Sequence, residues 1–196
     1  MFATFSGRTL VAFAMGLGLV FLGAACGQDG DGSDATTDET PTMTGETPTL
    51  PAELTDPQAT PDAETLLPQL EEYTTDDRPD PGEIEASLDH SSVPYVDVRR
   101  RLILDEQEFT VGEVTVVTVE PGSGGGEAYL DHRYGDAART PVDVAGVEML
   151  RVETDPFDAI AWAEPTYAVT FERGQERTDE WLEDFARATV EAIAKE

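Results

Sequence analysis

The chain has 196 residues and a single cysteine, Cys26, so no intrachain disulfide can form. Its folded part must therefore rely on its core. There is one lysine, Lys195, no asparagine and little isoleucine. These three residue types have AT-rich codons, so GC-rich codon usage is the simplest reading; adaptation to high salt is a second reading of the acid excess. Histidine is nearly absent, with only His90 and His132. No HExxH or CxxC spacing occurs, which argues against a zinc site and its three or four ligands. Basic charge is scarce: 12 Lys and Arg stand against 41 Asp and Glu, a net charge of −29. A surface this negative repels phosphate backbones, so nucleic acid is excluded as a partner. It also repels anionic lipid headgroups and favours a soluble monomer. The glycine-rich run 121–126 (PGSGGG) carries neither GK[ST] nor the G-x-S-x-G of a nucleophile elbow. Ser123 is thus read as a loop residue. In the DGDGSD segment, Asp29, Asp31 and Asp34 are oxygen donors, but Thr40 stands where a calcium loop needs its glutamate.

What the chain does have begins at its N-terminus. Residues 2–8 carry one positive charge, Arg8, and an apolar stretch runs from Leu10 to Leu22. Gly23, Ala24 and Ala25 are small, as cleavage by a signal peptidase requires. The apolar run 9–25 is short for a spanning helix of ~20 residues and holds Gly16, Gly18 and Gly23. Residues 1–26 resemble bacterial lipoprotein precursors, which end their signal peptide at a lipobox cysteine. The segment departs from that family at Gly23, where an aliphatic residue is usual; Leu22 lies one step earlier. The resemblance implies cleavage after Ala25 and a thioether-linked diacylglycerol on Cys26, with acylation of the new amine. Two chains give stable anchoring where one does not, at ~0.8 kcal/mol per buried methylene. An uncleaved N-terminal helix and ordinary secretion are the rival readings. The implied location is the outer face of the bacterial cytoplasmic membrane, in the cell envelope.

Residues 27–60 are rich in Asp, Glu, Thr, Gly and Pro and lack aromatics. Such a segment cannot bury enough apolar surface to offset its ordering entropy. It is expected to be a disordered acidic tether spanning on the order of 40 Å. Within 62–73, Leu66, Leu67 and Leu70 allow a short helical turn, limited by Pro68, that either docks on the domain or stays loose. The expected organisation is a signal peptide at 1–25, lipidated Cys26 and tether at 26–78, and a folded domain at 79–196.

Across that domain, alternation predicts strands. The run 83–90 reads as an edge strand, with a helix started by Asp80-Pro81 as the rival. Strands are expected at 94–104, with Val96, Val98, Leu102 and Leu104 on one face, and at 108–120. Further strands are expected at 127–134, at 141–154 as a hairpin turning near Ala145-Gly146, and at 159–173 as a hairpin through Glu164-Pro165. From Thr178 a helix is expected, with Asp179 and Glu180 complementing its dipole. Its apolar stripe includes Trp181, Leu182, Phe185, Ala188, Thr189, Ala192 and Ile193. The fold class is therefore α+β: an antiparallel sheet with the C-terminal helix packed on one face. Trp162, Tyr167, Trp181 and Phe185 fit a sheet–helix core rather than a ligand cage.

The order of these last elements, with Val142, Val144, Gly146, Val147, Trp162, Tyr167 and Val169 ahead of the helix from Thr178, resembles the small extracytoplasmic domain of some anti-sigma factors and related envelope lipoproteins. The resemblance covers about residues 141–195. It implies a regulatory or accessory module without catalysis. The cytoplasmic sigma-binding region of an anti-sigma factor is not recognisable, so that activity is not implied.

Candidate chemistry is sparse. Asp131, His132 and Arg133 cluster in sequence, but on a strand His132 would face away from its neighbours. Arg99, Arg100 and Arg101 would split between faces, with cross-strand pairing to Glu113 expected and a docking patch as the alternative. No catalytic, cofactor-binding or metal-binding residue is assigned; the assigned positions are Cys26 for lipid and Gly23, Ala24 and Ala25 for cleavage. The expected function is that of a non-catalytic envelope lipoprotein that binds a protein or lipid partner. A carrier or sensor of an apolar ligand between sheet and helix is the alternative, and a divergent hydrolase around His132 ranks third.

Overall fold

The two longest strands, of ten residues each, are neighbours in the sheet. Tyr95–Leu104 and Thr110–Val119 form an antiparallel ladder, with Val98 opposite Val117 and Arg100 opposite Thr115. They are β2 and β3 of a seven-stranded antiparallel sheet seen in a computed structural model, which describes residues 48–76, 82–154, 158–174 and 177–195. The other strands are β1 (Thr74–Asp76), β4 (Ala138–Val144), β5 (Val147–Glu153), β6 (Ala159–Glu164) and β7 (Tyr167–Arg173). The spatial order is β1-β2-β3-β7-β6-β5-β4, so β3 and β7 lie in the middle. Cys26, Gly23, Ala24 and Ala25 lie outside the described residues.

The two expected hairpins are present. Ala145 and Gly146 take φ of 54° and 82°, the left-handed conformation that a tight β4–β5 turn requires. The second hairpin joins β6 and β7 through Pro165-Thr166, with Glu164 opposite Tyr167.

The C-terminal helix is also as expected. α4 (Asp179–Ile193) starts at Thr178, whose hydroxyl accepts from the Trp181 amide at 3.2 Å. Leu182, Phe185, Val190 and Ile193 are fully buried against the sheet. Each contributes ~1.5–3 kcal/mol of burial before entropy is counted. Phe185 stacks on Trp181 at 5.5 Å between centroids and meets Phe171 edge-on at 5.6 Å. Trp162 and Tyr167 belong to the same core cluster.

The boundary of the folded part differs from expectation. Residues 50–73 do not belong to a tether ending at 78; they form a strap over the sheet face that α4 covers. A single helical turn, α1 (Ala52–Thr55), buries Leu54, and Ala63, Leu66 and Leu67 join the same cluster. Long-range bonds pin the strap: Thr166 Oγ1 donates to the Ala59 carbonyl at 2.7 Å, and Arg101 donates to the Leu67 and Pro68 carbonyls. Docking is thus the outcome for Leu66, Leu67 and Leu70, which need the sheet as their partner.

Two further corrections concern the opposite face. Residues 83–90 form a helix, the rival reading: α2 (Gly82–Asp89), which buries Leu88. Residues 127–134 are not a strand but part of α3 (Gly125–Tyr134). Glu127 lies in its first turn and His132 and Arg133 in its last, which suits the helix dipole. Gly126 lets α3 touch the β6–β7 hairpin: a Cβ there would sit 2.1 Å from the Tyr167 carbonyl oxygen. α2 and α3 cover a second apolar cluster that includes Val98, Val117, Val119, Tyr129, Leu130 and Ala168.

The parities of β2 and β3 follow from this double cover. Val114 and Val116 face α4, and Val117 and Val119 face α2 and α3. Val111 joins the α4 side because the pairing shifts at Leu104–Thr110, a bulge that turns the strand over. Val96, expected in the buried set, is 56% exposed, since a second register shift follows Tyr95. Among the described residues no helix is long and apolar enough to cross a membrane.

Candidate functional site

On the α2/α3 side the sheet changes character along its strands. Val117, Val119 and Ala168 are apolar, Thr115 and Thr170 come next with Arg100 opposite Thr115, and beyond them come Glu113 and Glu172. At this charged end a cavity of about 640 Å³ is lined by α2, α3 and the sheet. Its floor is Arg100, Glu113 and Glu172 from the sheet; its walls are Ile84, Ser87 and Leu88 of α2 and Tyr129, His132 and Arg133 of α3. Its size lies in the usual range for small-ligand sites.

The charges of the cavity floor are paired, while Glu83 of α2, an exposed residue that also lines the cavity, has no ion-pair partner among the described residues. Arg100 donates to Glu113, and Arg133 donates to both carboxylate oxygens of Glu172 at 3.0 and 3.1 Å. The Tyr134 hydroxyl adds a bond to Glu172 at 2.8 Å. Glu113 and Glu172 are only 15% and 14% exposed as side chains, so the carboxylates are shielded while their arginines still reach water. Arg173 at the edge is held by Asp158 and Asp179.

Two polar atoms of the floor and wall are buried without a partner among the described residues: the Tyr129 hydroxyl and Arg100 Nε. Tyr129 is 1% exposed. Burial pushes its phenol up to about 12; Arg133 opposes that shift, and Glu172 adds to it. The Thr170 hydroxyl is near enough to lower the value slightly, yet it does not complete a hydrogen bond. Burial, with Glu172 beside it, also holds the Tyr134 phenol well above its ordinary value. A buried orphan of this kind loses ~1–3 kcal/mol relative to a satisfied one.

Helix α3 scatters the Asp131-His132-Arg133 cluster. Asp131 pairs with Arg139 at 2.7 Å, Arg133 turns to Glu172, and His132 Nε2 lies 2.9 Å from the Ser87 hydroxyl of α2. His90 bonds its own helix through the Ala86 carbonyl at 2.6 Å. No group of three or more His, Cys, Asp or Glu among the described residues is placed to hold a metal ion. The arginine triplet divides as its alternation implies: Arg99 meets Asp97 at 3.2 Å, Arg100 pairs with Glu113, and Arg101 ties down the strap.

Tyr129 and Glu172 escaped the sequence reading. The available signal was the spacing of Tyr129, Leu130, Arg133 and Tyr134, which puts all four on one helical face. No protein family matches the chain, and comparison with curated proteins and with solved structures likewise finds no match.

Proposed function

We propose that this chain is a lipid-anchored extracytoplasmic module of the bacterial cell envelope that binds its ligand in the cavity between α2, α3 and the sheet. The anchor rests on residues 1–26 and on the acidity of the whole chain, which makes a covalent hold at a membrane necessary. The binding role rests on one observation above all: a fully buried tyrosine hydroxyl left unpartnered at the wall of a cavity of ligand size. The accessory or regulatory character implied by residues 141–195 belongs to the same proposal, as does a non-catalytic role.

A hydrolytic reading is favoured only by the Ser87–His132 bond. Nucleophilic catalysis needs a third group to orient the imidazole and donors for the oxyanion. No bond to His132 Nδ1 occurs among the described residues, and Ser87 is exposed in the body of α2. The pair is better read as a clasp between two helices. The apolar-ligand alternative fits poorly. The α4 side is occupied by Leu182, Phe185, Ala186 and Val190, and the cavity on the other side has a charged floor.

Mass spectrometry of the membrane-fraction protein tests the anchor. The expected mature chain begins at diacylated Cys26, and Cys26→Ser should leave the precursor unprocessed by the lipoprotein pathway. A membrane-bound chain that still begins at Met1 and carries no lipid would reject the anchor.

A further inference from the structure

We infer that the ligand of this cavity is an uncharged, hydroxyl-rich molecule of sugar or polyol type, an inference that rests on the binding reading above. The charge balance selects it. Each carboxylate of the floor already has its guanidinium, Arg100 for Glu113 and Arg133 for Glu172. A phosphate or carboxylate entering here would lie beside a glutamate without gaining a free cation. An ammonium would lie beside an arginine and could gain only Glu83 of the lining, whose exposure to water makes it a weak counter-ion. Bringing an extra charge into a shielded site without an unpaired counter-charge is costly.

A hydrocarbon chain fails for the opposite reason. It would leave the Tyr129 hydroxyl and Arg100 Nε–H dry and unbonded. Those two groups call for an acceptor oxygen, while the carboxylate oxygens of Glu113 and Glu172 beside them accept donors. A hydroxyl does both on one atom. A molecule bearing several hydroxyls on a compact ring therefore satisfies the orphans and the carboxylates together. The volume of about 640 Å³ admits such a molecule.

The test is calorimetric titration of the mature lipidated chain in a detergent without a sugar headgroup. The solutes are maltose, N-acetylglucosamine and inositol as neutral probes, inorganic phosphate as anion and putrescine as cation. The expected result is one-to-one binding of a neutral probe, weakened about tenfold in Tyr129→Phe and unchanged in Arg187→Gln, which lies on exposed α4 surface. Binding of phosphate or putrescine instead, weakened in Tyr129→Phe, would overturn the ligand class and leave the binding site standing. Binding of a neutral probe indifferent to Tyr129→Phe would overturn the placement. No binding of any solute up to its solubility would overturn the ligand class and the cavity's binding role together.

Discussion

Arg133 of α3 holds Glu172 of β7 through both carboxylate oxygens, its Nη2 lying 3.0 and 3.1 Å from them. This fork fastens the far end of α3 to the sheet, as Gly126 fastens the near end. It also neutralises the cavity wall. Glu172→Gln should keep the shape but lose the charge on which Arg133 and Tyr134 converge. The expected loss is about 2 kcal/mol, at the lower side for a buried pair because Arg133 is 39% exposed. Urea unfolding would measure it.

Tyr129→Phe should move stability the other way. It removes a hydroxyl that is buried and unpartnered, so the ligand-free protein should gain about 1 kcal/mol. A loss of that size in denaturant titration would mean that the hydroxyl is satisfied in solution.

Alkaline pH should unfold the chain early. The folded Tyr129 phenol is pushed up to about 12, chiefly by burial, and Tyr134 is raised as well. Above the ordinary phenol value of 10 the unfolded chain releases protons that the folded chain keeps. Stability is therefore full below about pH 10 and falls as pH rises from there through the folded values. Thermal melts between pH 8 and 12 should show the decline beginning near 10, and Tyr129→Phe should make it shallower.

Gly126→Ala should destabilise strongly. The added methyl would meet the Tyr167 carbonyl oxygen, a backbone atom, at 2.1 Å, where no rotamer change relieves it. A loss of about 3 kcal/mol is expected in urea unfolding, with α3 displaced from the β6–β7 hairpin.

Leu66→Ala tests the strap. Leu66 is fully buried among residues of the α4 face, so truncation should cost about 2–5 kcal/mol. A change near zero would return residues 50–73 to the tether.

Much of the sheet was legible because its signals are local. Ala145-Gly146 marks a turn wherever it occurs between apolar runs, and the stripe from Leu182 to Ile193 demands a surface to cover. The cavity was illegible because its parts are spread from residue 83 to 174 and carry no motif. α3 was hidden by its glycines: Gly125 and Gly126 disfavour a helix intrinsically and allow close packing against the β6–β7 hairpin. The strap was legible only at Leu66, Leu67 and Leu70; Leu54 stands among prolines and acids and acquires structure only from the sheet.

A crystal structure of the protein grown with a neutral sugar tests the central claim most directly. The expected result is sugar density in the cavity, with ring hydroxyls bonded to the Tyr129 hydroxyl, Arg100 Nε and the Glu172 carboxylate. A cavity that holds only water, or that has closed with Tyr129 bonded to a protein atom, would contradict it.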